Sequence, residues 1–426
     1  MAVHEYLIVE QSLGLQGSIE VDGAKNAVLV IMASLILTSG RSKLMNVPLS
    51  ADVVHMIKVL EELGARVIFN EKQKELIVDT TDLHDAVISP ELMKVMRASV
   101  LVTGPLLVRF GKASIAIPGG CRLGARPIDF HVRAFARMGA CIIYEQDFIT
   151  MTASKLHAQH FILEYPSVGA TENMMMAAAL TPGITRISNA AIEPEVLDLI
   201  CVLRKMGAKI QVQVPGIIEI EGVATLDAIE HVIIPDRLEA GTLLLAAAVT
   251  GGSLEIPNAR FEDMEVFLEK LSDMGHAISR CHNGQGIALK ATLSPRAVSF
   301  RTMPYPGFPT DLQSPMMAAQ CVALGTSAIC ETVFENRIIP TVRELQKFGA
   351  QVTTDGPLMA TVQGVDSLYG ASVVAPDLRA AAALVIAGLA AQGQTTITGV
   401  HHVRRGYTNF DEKLRSLGAR VHMVSM

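Results

Sequence analysis

The chain has no tryptophan, and aromatic residues make up only 4% of its 426 positions. Base-stacking platforms and aromatic-lined sugar grooves are therefore not expected. Charge is scarce too: Asp, Glu, Lys and Arg together are 18%, below the quarter or so of an ordinary soluble domain. That argues against disorder and against a solvated coiled coil. Basic residues number 36 against 42 acidic ones, a net charge of −6, which leaves no surplus to hold nucleic acid or an anionic membrane. The most apolar early run, residues 28–37, is ten residues long, about half of a bilayer span. The N-terminal stretch lacks the basic-then-apolar order of a secretory signal. Six cysteines (Cys121, Cys141, Cys201, Cys281, Cys321 and Cys330) contain no Cys-x-x-Cys pair and no regular framework. This predicts a reduced, cytoplasmic chain without structural disulfides. Walker A, His-Glu-x-x-His and metal-spaced Cys/His sets are missing. His401-His402 reads as a solvated pair, and no obligate protein partner is indicated.

What the chain does have is an internal repeat. An apolar residue followed by Gly-Ala, once Gly-His, closes a helical pattern and opens a strand-like one six times. The copies are Leu63-Gly64-Ala65, Met138-Gly139-Ala140, Met206-Gly207-Ala208, Met274-Gly275-His276, Phe348-Gly349-Ala350 and Leu417-Gly418-Ala419. The glycines lie 75, 68, 68, 74 and 69 residues apart. Glycine just beyond a helix end takes the left-handed cap conformation that a Cβ disfavours. A second glycine precedes each, at Gly40, Gly111, Gly183, Gly252, Gly325 and Gly393, by 24, 28, 24, 23, 24 and 25 residues. The second copy is thus the long one, and its excess falls within 117–127. Insertions in one copy of a repeated scaffold are where function is often placed.

The helix before each cap glycine is amphipathic. In the fourth copy Met264, Phe267, Leu268 and Leu271 recur at helical spacing, opposite Glu265, Glu269, Lys270 and Asp273. The helix before the earlier glycine is apolar nearly all round, as over 240–252, 314–325 and 378–393, and a helix without a polar face is buried. With short strands between, each copy reads strand, buried helix, strand, surface helix, strand, strand. Six copies are too many for one core, so two lobes of three α/β units are expected, with a cleft between them.

The N-terminal ends of buried helices carry positive partial charge and free N–H groups suited to anions. Polar residues occur there in every copy: Lys25-Asn26, Arg97, Ser167-Val168-Gly169, Asp236-Arg237, Asp311 and Asp377 with Arg379. Position alone makes the three aspartates ordinary N-caps. Lys25 opposes the helix dipole, which a purely structural role does not explain. Arg126, Arg337 and Arg405 fall in loop-like segments before the surface helices. Together they suggest a cleft for a multiply anionic small molecule. Cys121 stands in the lengthened loop among Gly119, Gly120 and Gly124, with Arg122 and Arg126 near enough in sequence to favour its thiolate. Cys321 reads as an inert buried thiol, Cys201 and Cys330 are grouped with it, and Cys141 and Cys281 are assigned to strands.

These residues resemble the UDP-N-acetylglucosamine 1-carboxyvinyltransferase family of enolpyruvyl transferases. The match runs from Gly23-Ala24-Lys25-Asn26-Ala27 through 118–129, 166–173, Pro309-Thr310-Asp311 and 331–337 to Arg405-Gly406-Tyr407. The Gly-Gly-Cys loop separates this family from its sister, 5-enolpyruvylshikimate-3-phosphate synthase, which shares the sixfold scaffold. The resemblance implies an inside-out α/β barrel of two lobes, 23–234 and 1–22 with 235–426, each of three βαβαββ units. It implies transfer of the enolpyruvyl group of phosphoenolpyruvate to the 3-hydroxyl of UDP-N-acetylglucosamine in bacterial peptidoglycan synthesis, without metal or organic cofactor, as the target of fosfomycin. Cys121 is implied as general acid and Asp311 as base. Lys25, Arg126 and Arg405 would hold phosphoenolpyruvate, and Arg97, Arg337 and Arg379 would order the cleft. The nucleotide would lie along Arg126, Pro127, Ile128, Asp129 and Phe130 and at Tyr165, Pro166, Ser167, Val168 and Gly169, with Asn26 and Val333 at the sugar. A shikimate-type transferase and a non-catalytic UDP-sugar-binding paralogue remain as alternatives.

Overall fold

The computed structural model describes residues 5–84, 88–89, 91–92, 100–116, 128–146, 148–213, 216–281 and 284–425. The predicted order of elements is seen in the fifth copy. There helix Gln313–Gln320, strand Thr326–Cys330, helix Ile338–Gln346 and strands Gln351–Asp355 and Met359–Gln363 follow in turn. Its sheet runs Phe300–Arg301, Thr326–Cys330, Met359–Gln363, Gln351–Asp355; the first pair is parallel and the others antiparallel.

All six cap glycines adopt positive φ, between 83° and 104°. In five copies the next residue's N–H reaches back to the helix, as Ala208 does to the Leu203 carbonyl at 2.9 Å, the hydrogen bond of a Schellman cap. The earlier glycines differ in one copy. Gly40, Gly111, Gly183, Gly325 and Gly393 have positive φ, but in the fourth copy Gly251 does so (φ 71°) and Gly252 does not. Gly252 is needed for another reason: a Cβ there would overlap the Leu15 carbonyl oxygen.

The helices ahead of these glycines are largely buried, though in the second copy Val108, Arg109 and Phe110 at the end of helix Thr103–Phe110 are only partly so. In helix Leu378–Ala390 every side chain from 379 to 389 is buried. In helix Lys25–Ser34 the same holds from Ala27 onward. Each fully buried Leu, Ile or Val contributes about 1.5–3 kcal/mol, so the stability of the fold resides largely in these cores. No helix among the described residues is long and apolar enough to cross a membrane.

The described chain forms two compact units. The middle unit holds the described residues between Gly23 and Ile234, and the third copy's tail, Glu230–Val232, closes it by pairing parallel to Arg41–Met45 in the first copy's sheet. The split unit joins the N-terminal residues up to Asp22 to those from Pro235 onward. Here strand Glu5–Glu10 lies between Gln394–Thr398 and Arg420–Ser425, antiparallel to both, and Gln16–Ser18 edges the sheet of the fourth copy. The N-terminal residues therefore complete the sixth copy. One hydrogen bond marks this equivalence: Thr80, Ala153, Gly222, Ala291 and Gly364 donate N–H to the carbonyls of Gly40, Gly111, Gly183, Gly252 and Gly325, and Gln11 does so to Gly393.

Candidate active site

In the split unit, two of the three aspartates at buried-helix starts are caps. Asp236 accepts from the N–H groups of Leu238 and Glu239, and Asp377 from those of Arg379 and Ala380, at 2.7–3.1 Å. Asp311 departs from the expectation of a cap. It sits in the turn Thr310–Leu312, and neither that turn nor the following helix takes a side-chain cap. The turn is seated by Leu312, packed where helix Arg237–Val249 has Gly241; a Cβ there would lie 2.5 Å from Leu312 Cδ1.

Asp311 instead bridges two guanidinium groups. Its Oδ1 accepts from Arg337 Nη1 at 2.9 Å and its Oδ2 from Arg379 Nη2 at 2.8 Å. Both arginines are buried while Asp311 is half-buried. Burial by itself would raise the Asp311 carboxyl, but Arg379 and Arg337 outweigh it and hold the group well below the usual carboxylate range. Arg379 is steered in turn by Tyr407, whose hydroxyl accepts from Nη1 at 3.3 Å. That hydroxyl also meets Thr242 Oγ1 at 2.9 Å, and Thr242 donates to the Leu238 carbonyl. The Arg337 guanidinium lies 4.8 Å from the Phe334 ring centroid. Val333 is half-buried in the same turn, and Arg405 is half-buried after the short helix His401–Arg404.

In the middle unit, helix Lys25–Ser34 begins at Lys25, whose Nζ lies 3.1 Å from Asp52 Oδ2. That carboxylate, on helix Ala51–Glu62, offsets the ammonium's conflict with the helix dipole. Asn26 beside it is exposed. Ser167 caps helix Val168–Ala179, accepting from Ala170 N–H. Tyr165 is exposed, while Pro166, Val168 and Gly169 are partly buried. Ile128, Asp129 and Phe130 form the start of helix Asp129–Arg137, where Asp129 pairs with Arg133 at 2.7 Å. The helices that begin at the two expected nucleotide segments are joined by buried polar contacts. Asn173 Nδ2 lies 3.1 Å from His131 Nδ1, and its Oδ1 accepts from Gly104 N–H at 2.7 Å. Burial, partly countered by Asp129, lowers the His131 imidazole to about 4, so it stays neutral and accepts from Asn173.

Cys121, Arg97, Arg122, Arg126 and Pro127 lie outside the described residues. Of the other cysteines, Cys321 is buried with its thiol pushed up to about 12 by desolvation, as expected of an inert thiol. Cys201 is exposed and Cys330 half-buried, so they do not follow Cys321. Cys201 stands on the outer face of the surface helix Pro194–Lys205. Cys141 is in a strand, and Cys281 falls just after one. Asp52, Thr242, Thr310, Glu331 and Tyr407 were not singled out by sequence reasoning. Glu331, Thr310 and Tyr407 lie inside motif stretches, which was the available signal. Asp52 and Thr242 carry none.

The chain matches the family model described as EPSP synthase (3-phosphoshikimate 1-carboxyvinyltransferase) over residues 9–414. It is 46% identical to UDP-N-acetylglucosamine 1-carboxyvinyltransferase 1 of Caldanaerobacter subterraneus subsp. tengcongensis, covering 97% of this chain and 98% of that protein. It is 44% identical to UDP-N-acetylglucosamine 1-carboxyvinyltransferase 2 of Carboxydothermus hydrogenoformans, over 99% and 100%. Its fold matches the crystal structure of the enolpyruvyl transferase NikO from Streptomyces tendae over 100% of both chains, with a TM-score of 0.90 at 23% identity. EPSP synthase from Acinetobacter baumannii follows at 0.77 and 18%, over 99% of this chain and 100% of that one. A mixed α/β fold of repeated sheets around buried helices, shared with those structures, and close identity along nearly the whole chain place this protein in the UDP-N-acetylglucosamine 1-carboxyvinyltransferase family of enolpyruvyl transferases.

Proposed function

We propose that this enzyme transfers the enolpyruvyl group of phosphoenolpyruvate to the 3-hydroxyl of UDP-N-acetylglucosamine and releases phosphate. In the first step the hydroxyl oxygen bonds to C2 of phosphoenolpyruvate, giving its proton to a base, while the methylene carbon takes a proton from an acid. The resulting tetrahedral ketal then loses a methyl proton and its phosphate, which restores the double bond. Such chemistry needs an acid, a base and cations placed where charge develops.

Asp311 is assigned the hydroxyl proton and Cys121 the proton for the methylene carbon. Lys25, Arg126 and Arg405 hold the phosphate and carboxylate of phosphoenolpyruvate, with Arg97, Arg337 and Arg379 ordering the anionic groups. The nucleotide is read along 126–130 and 165–169, and the sugar at Asn26 and Val333. Arg337 and Arg379 both donate to Asp311. An arriving anion competes for them, and each guanidinium it draws off strengthens Asp311 as a base. Substrate binding thus prepares the base it requires.

The observation that carries this reading is the Asp311 carboxylate, half-buried and ionised between two buried guanidinium groups, in a chain whose relatives at 44–46% identity bear that activity in their names. We further read each unit as an inside-out α/β barrel, on the burial of its central helices. The reaction is assigned to bacterial peptidoglycan synthesis in the cytoplasm. The test is phosphate release from phosphoenolpyruvate with each acceptor in turn. Release with UDP-N-acetylglucosamine alone is expected. Release with shikimate 3-phosphate would transfer the chain to the sister activity, and tight binding of the UDP-sugar without release would make it a non-catalytic binder.

A further inference from the structure

We infer that Glu331 is a positioning residue for this reaction, fixing the turn that carries Asp311 through the hydroxyl of Thr310; the inference rests on the role proposed above for Asp311. Glu331 follows strand Thr326–Cys330 and is fully buried. A carboxylate removed from water must be met by donors. Here Thr302 Oγ1 donates at 2.8 Å, the N–H groups of Val333 and Phe334 at 2.8 and 3.1 Å, and Thr310 Oγ1 lies 3.0 and 2.9 Å from its two oxygens.

The contact with Thr310 links this carboxylate to the site. A hydroxyl has one proton and can also accept. Thr310 donates toward Glu331 and accepts from Arg337 Nη1 at 3.0 Å, the same nitrogen that donates to Asp311 Oδ1 and to the Thr310 carbonyl. The order is therefore Glu331, Thr310, Arg337, Asp311, with each group holding the next. Glu331 also folds the turn that carries Val333, assigned above to the sugar. A buried carboxylate is a weak source of net stability, since apolar replacements are often neutral or better. What this one supplies is geometry: it leaves the Thr310 hydroxyl one orientation and the Thr310–Leu312 turn one register.

The decisive comparison is among Thr310→Val, Thr310→Ser, Glu331→Gln and the Thr310→Val/Glu331→Gln double variant, with kcat, KM and melting temperature measured on each. Thr310→Val removes the hydroxyl at nearly constant volume and is expected to lower kcat about 10- to 100-fold, the scale of a small misplacement of a reacting group. Thr310→Ser keeps the hydroxyl and is expected to retain kcat. Glu331→Gln is expected to match Thr310→Val in kcat and to raise KM for the UDP-sugar as well, because the Val333 turn is bonded to Glu331 directly. The double variant is expected to be no worse in kcat than the worse single one, since both break one linkage. Wild-type kcat in Thr310→Val, or multiplicative losses in the double variant, would overturn the inference. If Glu331→Gln does not fold, the Thr310→Val and Thr310→Ser pair still decides it. Asp311→Asn separates the two levels. Full turnover in that variant would remove the proposed base, whereas an inactive Asp311→Asn beside a normal Thr310→Val would remove only the role of Glu331.

Discussion

At Asp311 two effects oppose one another, and their outcome decides the protonation state of the proposed base. Burial favours the neutral acid, while the two guanidinium groups favour the carboxylate and prevail. If Asp311 is the base, as proposed, the free enzyme holds it ionised well below neutrality, and the acid limb of kcat/KM is expected to report its protonation. Arg379→Met removes one cation and lets the carboxyl rise toward its ordinary value. Protonation then begins at higher pH, so the acid limb is expected to move upward, whereas Arg379→Lys keeps a cation and holds it nearer the wild-type position. An acid limb identical in all three proteins would contradict the electrostatic account. The sequence could show only that three aspartates precede three apolar helices. For Asp236 and Asp377 that local pattern is met by a helix cap. For Asp311 the deciding partners come 26 and 68 residues later in the chain, and nothing in the Pro-Thr-Asp pattern refers to them. Lys25 was legible because it violates a local rule, but its partner Asp52 had no such mark.

Among the elements, the repeat was legible because every copy ends a helix with a left-handed glycine, and five of them add the same hydrogen bond. A left-handed residue and the hydrogen bond behind it involve six consecutive residues, so the signal survives in sequence whatever surrounds it. Gly251 and Gly252 show where this ends. The positive φ falls at Gly251, while Gly252 is required by the close approach of Leu15, more than two hundred residues away. The two kinds of glycine predict different costs. At Gly207 (φ 104°) a Cβ meets nothing within 4 Å, so Gly207→Ala costs only the left-handed strain of about 1–2 kcal/mol. Gly252→Ala has no such φ to pay for, but it drives a Cβ into the Leu15 carbonyl and must displace the strand pairing Gln16–Ser18 with Ser253–Ile256. Thermal melts are expected to show a modest loss for Gly207→Ala and a larger one for Gly252→Ala. Equal losses would mean that conformational strain, not close approach, explains both.

On the scale of the whole molecule, periodicity found six copies but could not show that the last is completed from the other end of the chain, because its partners are nearly 400 residues apart. Strand Glu5–Glu10 sits between two neighbours, with Glu5 opposite Ser425. Beside it, Lys413 Nζ lies 2.8 Å from Asp22 and 2.5 Å from Glu239, which ties the end of this segment to its own unit by a buried ion triad. Removing one partner from such a group costs about 3–5 kcal/mol, so the segment is held by charge as well as by strand pairing. The middle unit, by contrast, closes its first sheet with its own strand Glu230–Val232. Residues 23–234 expressed alone are therefore expected to melt cooperatively, and residues 235–426 alone are not. Fusing residues 1–22 behind residue 426 through a short glycine-rich linker restores both missing strands and Asp22, since Glu5 and Ser425 are paired neighbours that a hairpin-length connection can join. That rearranged chain is expected to recover a cooperative transition by circular dichroism, and Lys413→Met within it to lower the midpoint. A cooperative melt of 235–426 without the fusion would show that the sixth copy does not depend on the strand that fills its sheet.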